Sequence, residues 1–469
     1  MRRPLTVAKT PIDEVIDTDR QLTRLVFAHM AGAAGWLVFG TLVGLYLSLK
    51  FIWPDMDAVS WLGFGRLRPI HTNTVFWGWA SHGMVGLALY VVPRTCRRHL
   101  FSYRLGWVAL GLMSASVVVG DVCLAAGLNN GAQEYREYVW PAMALFAASL
   151  GLTLYNFYMT VARRSTREIY ISNWYVLAAL IWTLTLVTIA YLPFYQHGLG
   201  ETAIQGYYMH QGVGMWFTPM VLGLTYYFLP KLLNKPIYSY SLGVLAFWTQ
   251  MLFYTMIGSH HFLYSPLPWW LQTVAVLFSV GMVVPVVAGS ANFLLTMRGS
   301  GHALRSSYAV PFLLVGVVYY LVGSLQGSFE ALRSLNLLWH FNNYTVGHSH
   351  ITMYGFVSFL IWGGAYGLLP RLSGREAPQL AIGIHFWLAF LGLLIYGVSL
   401  SIGGTLQGLS WKHHEPFESS VVLMAPYWLW RAIGGTLMFT SHLLFAFNVW
   451  RMLPARAAAP VAPEVPDAA

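Results

Sequence analysis

Six histidines carry the strongest chemical signal in this 469-residue chain: His71, His210, the adjacent His260 and His261, and His348 with His350 in a GHSH stretch. Imidazole is the commonest metal-ligating side chain, and three imidazoles meeting at one point suit copper, zinc or iron. Neighbouring residues on a helix point about 100° apart, so His260 and His261 share an ion only at the helix flank, with a third ligand from another segment. His210 can supply it. His348 and His350, at i and i+2, point roughly 200° apart. They cannot share one ion, but they can hold two planar cofactors on opposite faces of one helix. His71 can then be the second axial ligand of one cofactor, while the other faces the ion held by His210, His260 and His261. One low-spin haem, one high-spin haem and one metal ion account for all six, although the chemistry alone leaves other assignments open.

These side chains meet only if the segments carrying them bring them to one depth. The composition says what those segments are: 57% of residues are apolar and 9% charged, whereas a soluble chain carries about 25% charge. Apolar stretches of about 20 residues, enough to cross a bilayer core, recur from Val26 to Trp450. The fold class expected is an all-α integral membrane protein, a bundle of about twelve spans. They lie near 26–50, 70–92, 105–127, 138–162, 173–195, 208–230, 241–263, 270–296, 308–328, 345–369, 380–405 and 427–450. Residues 1–25 read as a cytoplasmic N-terminal segment without a cleavable apolar region. Residues 26–452 form the helical domain, and the Pro/Ala-rich 453–469 reads as a disordered cytoplasmic tail. No repeat with a clear period stands out.

The net charge of +10 is a topological signal. Of the 27 Lys and Arg, 20 fall on the side of the N-terminus, which puts both termini in the cytoplasm. The basic excess therefore points to membrane lipid and to no nucleic acid. With this topology, His71, His210, His348 and His350 open spans two, six and ten, and His260 and His261 close span seven. All six lie toward the outer face. Of the other ten histidines, His29, His82, His99, His197, His302, His385 and His442 read as interface residues. The two cysteines, Cys96 and Cys123, lie far apart. There is no CxxCH for covalent haem and no two-cysteine copper motif, so redox chemistry would need electrons from another protein or subunit.

The stretches GRLRPIHTN, KPIYSYSLGVLAFW, the HH pair followed by LP, YTVGHSH, LQGLSW and PYWLWRAIGG resemble the catalytic subunit of cbb3-type cytochrome c oxidases. These form the C-type branch of the haem-copper oxidase superfamily, and the resemblance runs from about the first span to the twelfth. It implies that His71 and His350 ligate a low-spin haem b, that His348 ligates a high-spin haem b, and that His210, His260 and His261 hold copper. It also implies reduction of O2 to water, with electrons from cytochrome c-bearing subunits or a soluble cytochrome c, and with proton uptake and translocation. The location implied is the bacterial cytoplasmic (inner) membrane. Arg66, Arg68 and Arg431 lie in family-like motifs and are assigned to the haem propionates.

Nitric oxide reductases share the resemblance, with iron in place of copper, and two positions separate them. They carry a Glu four residues after the first metal-ligating His, where this chain has Gly214. The cbb3 pattern has a Tyr six residues before the His pair, matched here by Tyr254. Seven residues before His261, it would lie two helical turns deeper on the same face, and a redox-active Tyr suits O–O cleavage. The chain departs from the pattern elsewhere. Gln326 stands where a Glu is expected, with Glu330 one turn on. In the acidic outer loop Glu134 and Glu137 match, but Val139 replaces a third Glu, which weakens the calcium ion that the resemblance implies. A Ser on the proton path becomes Gly243. Candidate proton relays are Tyr227, Tyr238, Tyr240, Ser241, Thr249 and Thr255. A transporter with structural histidines is a third reading, but it calls for paired Gly/Pro-interrupted midplane segments, and none is evident.

Overall fold

The computed structural model describes residues 19–56, 59–131, 133–192 and 197–454. Most of the expected N-terminal segment and the expected disordered tail lie outside the described residues. Among the described residues the chain is all-helical, with eleven helices long and apolar enough to cross a membrane. They are α1 (Arg20–Leu49), α2 (Phe64–Cys96), α3 (Tyr103–Ala125), α4 (Trp140–Ala162), α5 (Ile171–Tyr191), α7 (Tyr240–Phe262), α8 (Trp269–Met297), α9 (Ala309–Glu330), α10 (Asn343–Ser373), α11 (Gln379–Lys412) and α12 (Phe417–Met452). A further helical run, α6, joins Gly198–Gln211, Gly212–Phe217 and Thr218–Leu233. Glu201, Gln205, His210 and Gln211 make its first half less apolar.

Helix α1 starts at Arg20, earlier than its apolar stretch implies. Asp19 caps it by accepting from the backbone N–H of Gln21 and Leu22, which satisfies two of the donors a helix start leaves open.

Burial sorts the helices into two classes. In the most apolar stretch of α2 94% of residues are buried, and in that of α10 83%, against 33–44% in the other spanning helices. In α6, every residue from Gln211 to Pro230 except Val213 is buried. A helix apolar on all sides belongs inside, so α2, α6 and α10 form the centre and the rest surround them. The six histidines all lie on this inner set or on α7 beside it.

The structure does contain a repeat, hidden by its length and low identity. Ser102 N–H donates to Asn156 Oδ1 and Asn156 Nδ2 to Ser102 O, while Phe101 N–H donates to Thr160 Oγ1. Ser239, Asn292, Tyr238 and Thr296 make the same three bonds between α7 and α8. The inner helices echo one another too: Ser81, Thr218 and Ser358 each precede a proline by twelve residues (Pro93, Pro230, Pro370), and a basic residue follows each proline. Their C-caps, Arg97, Asn234 and Gly374, are all left-handed.

Candidate haem and metal centre

His71 on α2 and His350 on α10 face one another, with ring centroids 6.3 Å apart and planes 16° from parallel. Two imidazole nitrogens each about 2.0 Å from one metal put their centroids ~6 Å apart, so the gap fits a bis-imidazole planar cofactor. His71 Nδ1–H donates to Gly40 O at 2.7 Å and His350 Nδ1–H to Val346 O at 2.8 Å. These bonds fix the tautomers and leave both Nε2 atoms as acceptors. Gly44 makes room for the ring: a Cβ there would lie 2.5 Å from His71 Cε1.

The rings open into a cavity of about 370 Å³ that Arg68, Arg431 and His442 also line. Arg431 is 8% exposed and stacks 4.5 Å from the Phe51 ring centroid. Its Nε has no partner among the described residues. A buried cation is costly unless an anion meets it, and a carboxylate carried by a ligand in this cavity would do so.

On the other side of α10 a second cavity, about 140 Å³, holds His210, His260, His261, His348 and Tyr254 in its wall. One nitrogen from each of His210, His260 and His261 lies within 4.8 Å of the other two, and His210 Nδ1 is 2.8 Å from His261 Nε2. Two glycines create this convergence. A Cβ on Gly206 would lie 2.7 Å from Gly258 O, and one on Gly258 would lie 2.6 Å from Gly206 O. Thus α6 and the end of α7 touch backbone to backbone, four residues before His210 and two before His260. His260 Nδ1–H donates to Ser279 Oγ at 2.6 Å, which frees Nε2. Three neutral imidazoles at one point are a donor set for copper, zinc or iron.

His348 Nδ1–H donates to Gln326 Oε1 at 3.2 Å, so the residue that departs from the expected Glu touches His348 directly. Glu330 also lines this cavity, but it accepts from Thr345 Oγ1 at 2.7 Å. Tyr254 lies 5.4 Å from His210, centroid to centroid. The expectation of a continuous α-helix from Tyr254 to His261 is corrected: α-geometry stops at Phe253, and tight 3₁₀ turns follow at Tyr254–Met256 and Gly258–Phe262. The ring reaches the site by packing on Gly214, where a Cβ would lie 1.8 Å from Tyr254 Cε1.

The acidic outer loop is spent on arginine. Arg68 Nη1 donates to Glu137 Oε1 at 2.8 Å, and its Nη2 pairs with Glu134. Burial pushes the Glu137 carboxyl up to about 7 against the pull of Arg68 and Asn73. Arg66 is not brought to either cavity lining; its Nη1 donates to Ala125 O at 2.8 Å. Sequence reasoning missed Arg136, 1% exposed, which with Gln133 binds Glu201 of α6 and so ties this loop to the helix of His210.

Other expectations are corrected. His29, His82, His385 and His442 are buried in the bundle, not at an interface, whereas His99, His197 and His302 are exposed. His442 lines the larger cavity and bridges Thr41 Oγ1 (2.9 Å) and Tyr354 OH (3.2 Å). Among the proposed relays only Tyr227 is buried. Tyr238, Tyr240 and Ser241 are exposed, and Thr249 and Thr255 donate to carbonyls of their own helix. Buried tyrosines stand elsewhere: Tyr226 stacks on Tyr175 at 5.5 Å, and the Tyr320 hydroxyl has no partner among the described residues.

Residues 24–437 match the family model described as Cytochrome C and Quinol oxidase polypeptide I. The chain is 31% identical over 440 residues to the cbb3-type cytochrome c oxidase subunit CcoN1 of Stutzerimonas stutzeri, covering 90% of this chain and 92% of that protein. It is 33% identical over 441 residues to the cytochrome c oxidase subunit 1 homolog of Azorhizobium caulinodans, covering 89% of this chain and 80% of that one. Among solved structures, a chain of a haem-copper terminal oxidase dimer, seen by cryo-EM, superposes with a TM-score of 0.76 at 15% identity, over 93% of this chain and 85% of that chain.

Proposed function

Since the chain belongs to the family of cytochrome c and quinol oxidase polypeptide I, we propose that its six outer histidines hold two b-type haems and one copper ion for the reduction of dioxygen to water. It is a haem-copper oxidase subunit and a multi-pass protein of the bacterial inner membrane. One observation carries the proposal: His348 and His350, two residues apart on α10, open into two different cavities, each already lined by complementary histidines.

In this reading His71 and His350 hold the low-spin haem, His348 the high-spin haem, and His210, His260 and His261 the copper. The bound groups supply electron transfer and the coordination chemistry of dioxygen. The chain's own residues set their surroundings. Gln326 fixes the His348 tautomer, Ser279 fixes that of His260, and Arg431 neutralises a propionate, whereas the charge of Arg68, in the same cavity lining, is already met by acidic side chains. Tyr254, beside His210, supplies a proton and an electron from its hydroxyl. The Glu134 and Glu137 carboxylates are both met by Arg68.

Electrons come from a cytochrome c-type donor on the outer side. Both termini are cytoplasmic, α6 is the twelfth span, and protons rise from the cytoplasm past the buried Tyr226 and Tyr320. A nitric oxide reductase reading is disfavoured because Tyr254 occupies the space that a carboxylate at position 214 would need. The test is a haem and metal assay on the purified protein. Two b-type haems and one copper per chain are expected. Non-haem iron without copper would transfer the site to NO reduction.

A further inference from the structure

Each inner helix abandons α-geometry just after its histidine. Thr74–Ala80 follows His71, Gly212–Phe217 follows His210, and Ile351–Ser358 follows His350, and all three are π-helical. Such turns are rare in proteins, and three in register on three neighbouring helices point to a shared device. A hydroxyl stands at the end of each. Ser81 Oγ donates to Phe76 O at 2.9 Å, Thr218 Oγ1 to Val213 O at 3.1 Å, and Ser358 Oγ to Met353 O at 3.1 Å. Each bond reaches five residues back. Hydroxyls in the ordinary α-helices here reach three or four back, as Ser441 does to Met438 and Thr183 to Ala179. The hydroxyl thus latches the wide turn that aims the histidine above it.

Two of the latches are tied to the next helix. Trp79 Nε1 donates to Ser358 Oγ at 2.9 Å, and Trp216 Nε1 donates to Ser81 Oγ at 2.9 Å. All four side chains are buried. The tryptophans occupy equivalent places, two residues before Ser81 and two before Thr218. The third equivalent residue is Phe356, which has no donor, so the ring stays open at Thr218, on the wall of the metal cavity. Ser81 and Ser358 each donate once and accept once, which fills the capacity that matters for a buried hydroxyl.

We propose that the Trp79–Ser358 and Trp216–Ser81 pairs are positioning latches that string the three inner helices in one order: α6 to α2, and α2 to α10. Trp79–Ser358 joins the two helices whose histidines face each other at 6.3 Å, so it sets the relative orientation of His71 and His350. Trp216–Ser81 transmits the placement of His210 to α2. Ordinary hydroxyl packing between membrane helices would stabilise the bundle without orienting those rings. The inference rests on the proposed bis-histidine haem.

The test uses purified, cofactor-loaded protein, with wild-type haem content measured first. Absence of two haems in the wild type defeats the functional reading, whereas failure of the latch shows only in the spectra. The electron paramagnetic resonance signal of the low-spin haem reports the angle between its two imidazole planes. Trp79→Phe and Ser358→Ala are expected to keep two haems per chain and to shift this signal in the same direction, and Ser358→Thr to restore it. Trp216→Phe is expected to leave that signal in place and to shift the infrared stretch of carbon monoxide bound to the reduced enzyme. If Ser358→Ala loses haem, Trp79→Phe decides, because it leaves the Ser358–Met353 bond intact. A low-spin signal unmoved in Trp79→Phe overturns the proposal.

Discussion

Substituting alanine for Gly214 tests the part of the site that separates the two candidate chemistries. A Cβ at this position would lie 1.8, 2.1 and 2.5 Å from Cε1, Cδ1 and Cζ of Tyr254, where carbon atoms normally rest about 3.5–4.0 Å apart. The phenol would have to retreat by roughly 1.5–2 Å. It has little freedom to do so. Tyr254 is 8% exposed, the His210 ring stands 5.4 Å away, and Gln211 Nε2 binds the Tyr254 carbonyl. Overpacking of this kind costs about 1–3 kcal/mol, and the displaced ring loses its place beside His210.

The measurement is a double-mutant cycle of unfolding free energy in mild detergent, with oxygen uptake measured in parallel. Gly214→Ala should destabilise the protein by about 1–3 kcal/mol and lower turnover. In a Tyr254→Ala background the clash disappears, and the same substitution should be neutral or stabilise by up to ~1 kcal/mol, as alanine replaces glycine in a helix. The coupling between the positions should then be about 1–4 kcal/mol. Equal cost in both backgrounds, or no cost in the wild type, would refute the contact and with it the argument that Tyr254 and a carboxylate at 214 exclude each other.

Three further outcomes follow from the same geometry. Gln326→Glu replaces a neutral acceptor of His348 Nδ1–H with a charged one, which strengthens the hydrogen bond by about 1 kcal/mol. The extra ligand basicity should lower the high-spin haem potential by ~40 mV for one electron, and a redox titration showing no fall would count against Gln326 as the partner. His71→Ala should remove one of two haems per chain and leave copper in place, as read by haem extraction and metal analysis; loss of copper alone would reverse the assignment. Arg68→Ala strips the charge partner from Glu137, whose carboxyl is held at about 7, above its ordinary 4.5. The native state therefore keeps extra protons in that window, and Glu137's contribution to stability falls as pH rises through it. Without Arg68 the window extends upward, so thermal melts should show a deficit of about 3 kcal/mol above pH 8 that shrinks toward pH 5. A pH-independent deficit would show that Arg68 acts by packing.

The helices were legible because each has to fill a bilayer with apolar side chains, and that demand writes itself along the chain. Their ends were less so. Asp19 moves the start of α1 to Arg20 by a hydrogen bond, not by hydropathy. Orientation about the helix axis was the larger loss. In a span apolar on every side, nothing in the sequence marks the inward face, which is why Ser241 and Tyr240 read as relays although they are exposed. His442 read as an interface residue for the same reason, yet it is buried against Tyr354 and Thr41. A buried imidazole is tolerable only with polar partners, and those partners come from α1 and α10, 401 and 88 residues away.

The six histidines were legible for the opposite reason: their geometry is local. An i, i+2 pair on a helix has to look both ways whatever surrounds it, and an adjacent pair has to be completed from outside. What spacing could not supply is how the completing ligand arrives. His210 meets His260 and His261 because Gly206 and Gly258 let two backbones touch. Tyr254 reaches the site from a chain already tightened to 3₁₀ turns because Gly214 leaves a gap the size of its ring edge. Two glycine contacts therefore decide both the three-histidine cluster and the residue beside it. It follows that the chemistry of this centre depends on absent side chains as much as on present ones. A carboxylate cannot be added at Gly214 without expelling the tyrosine, so a change from one chemistry to the other would need both positions to alter together.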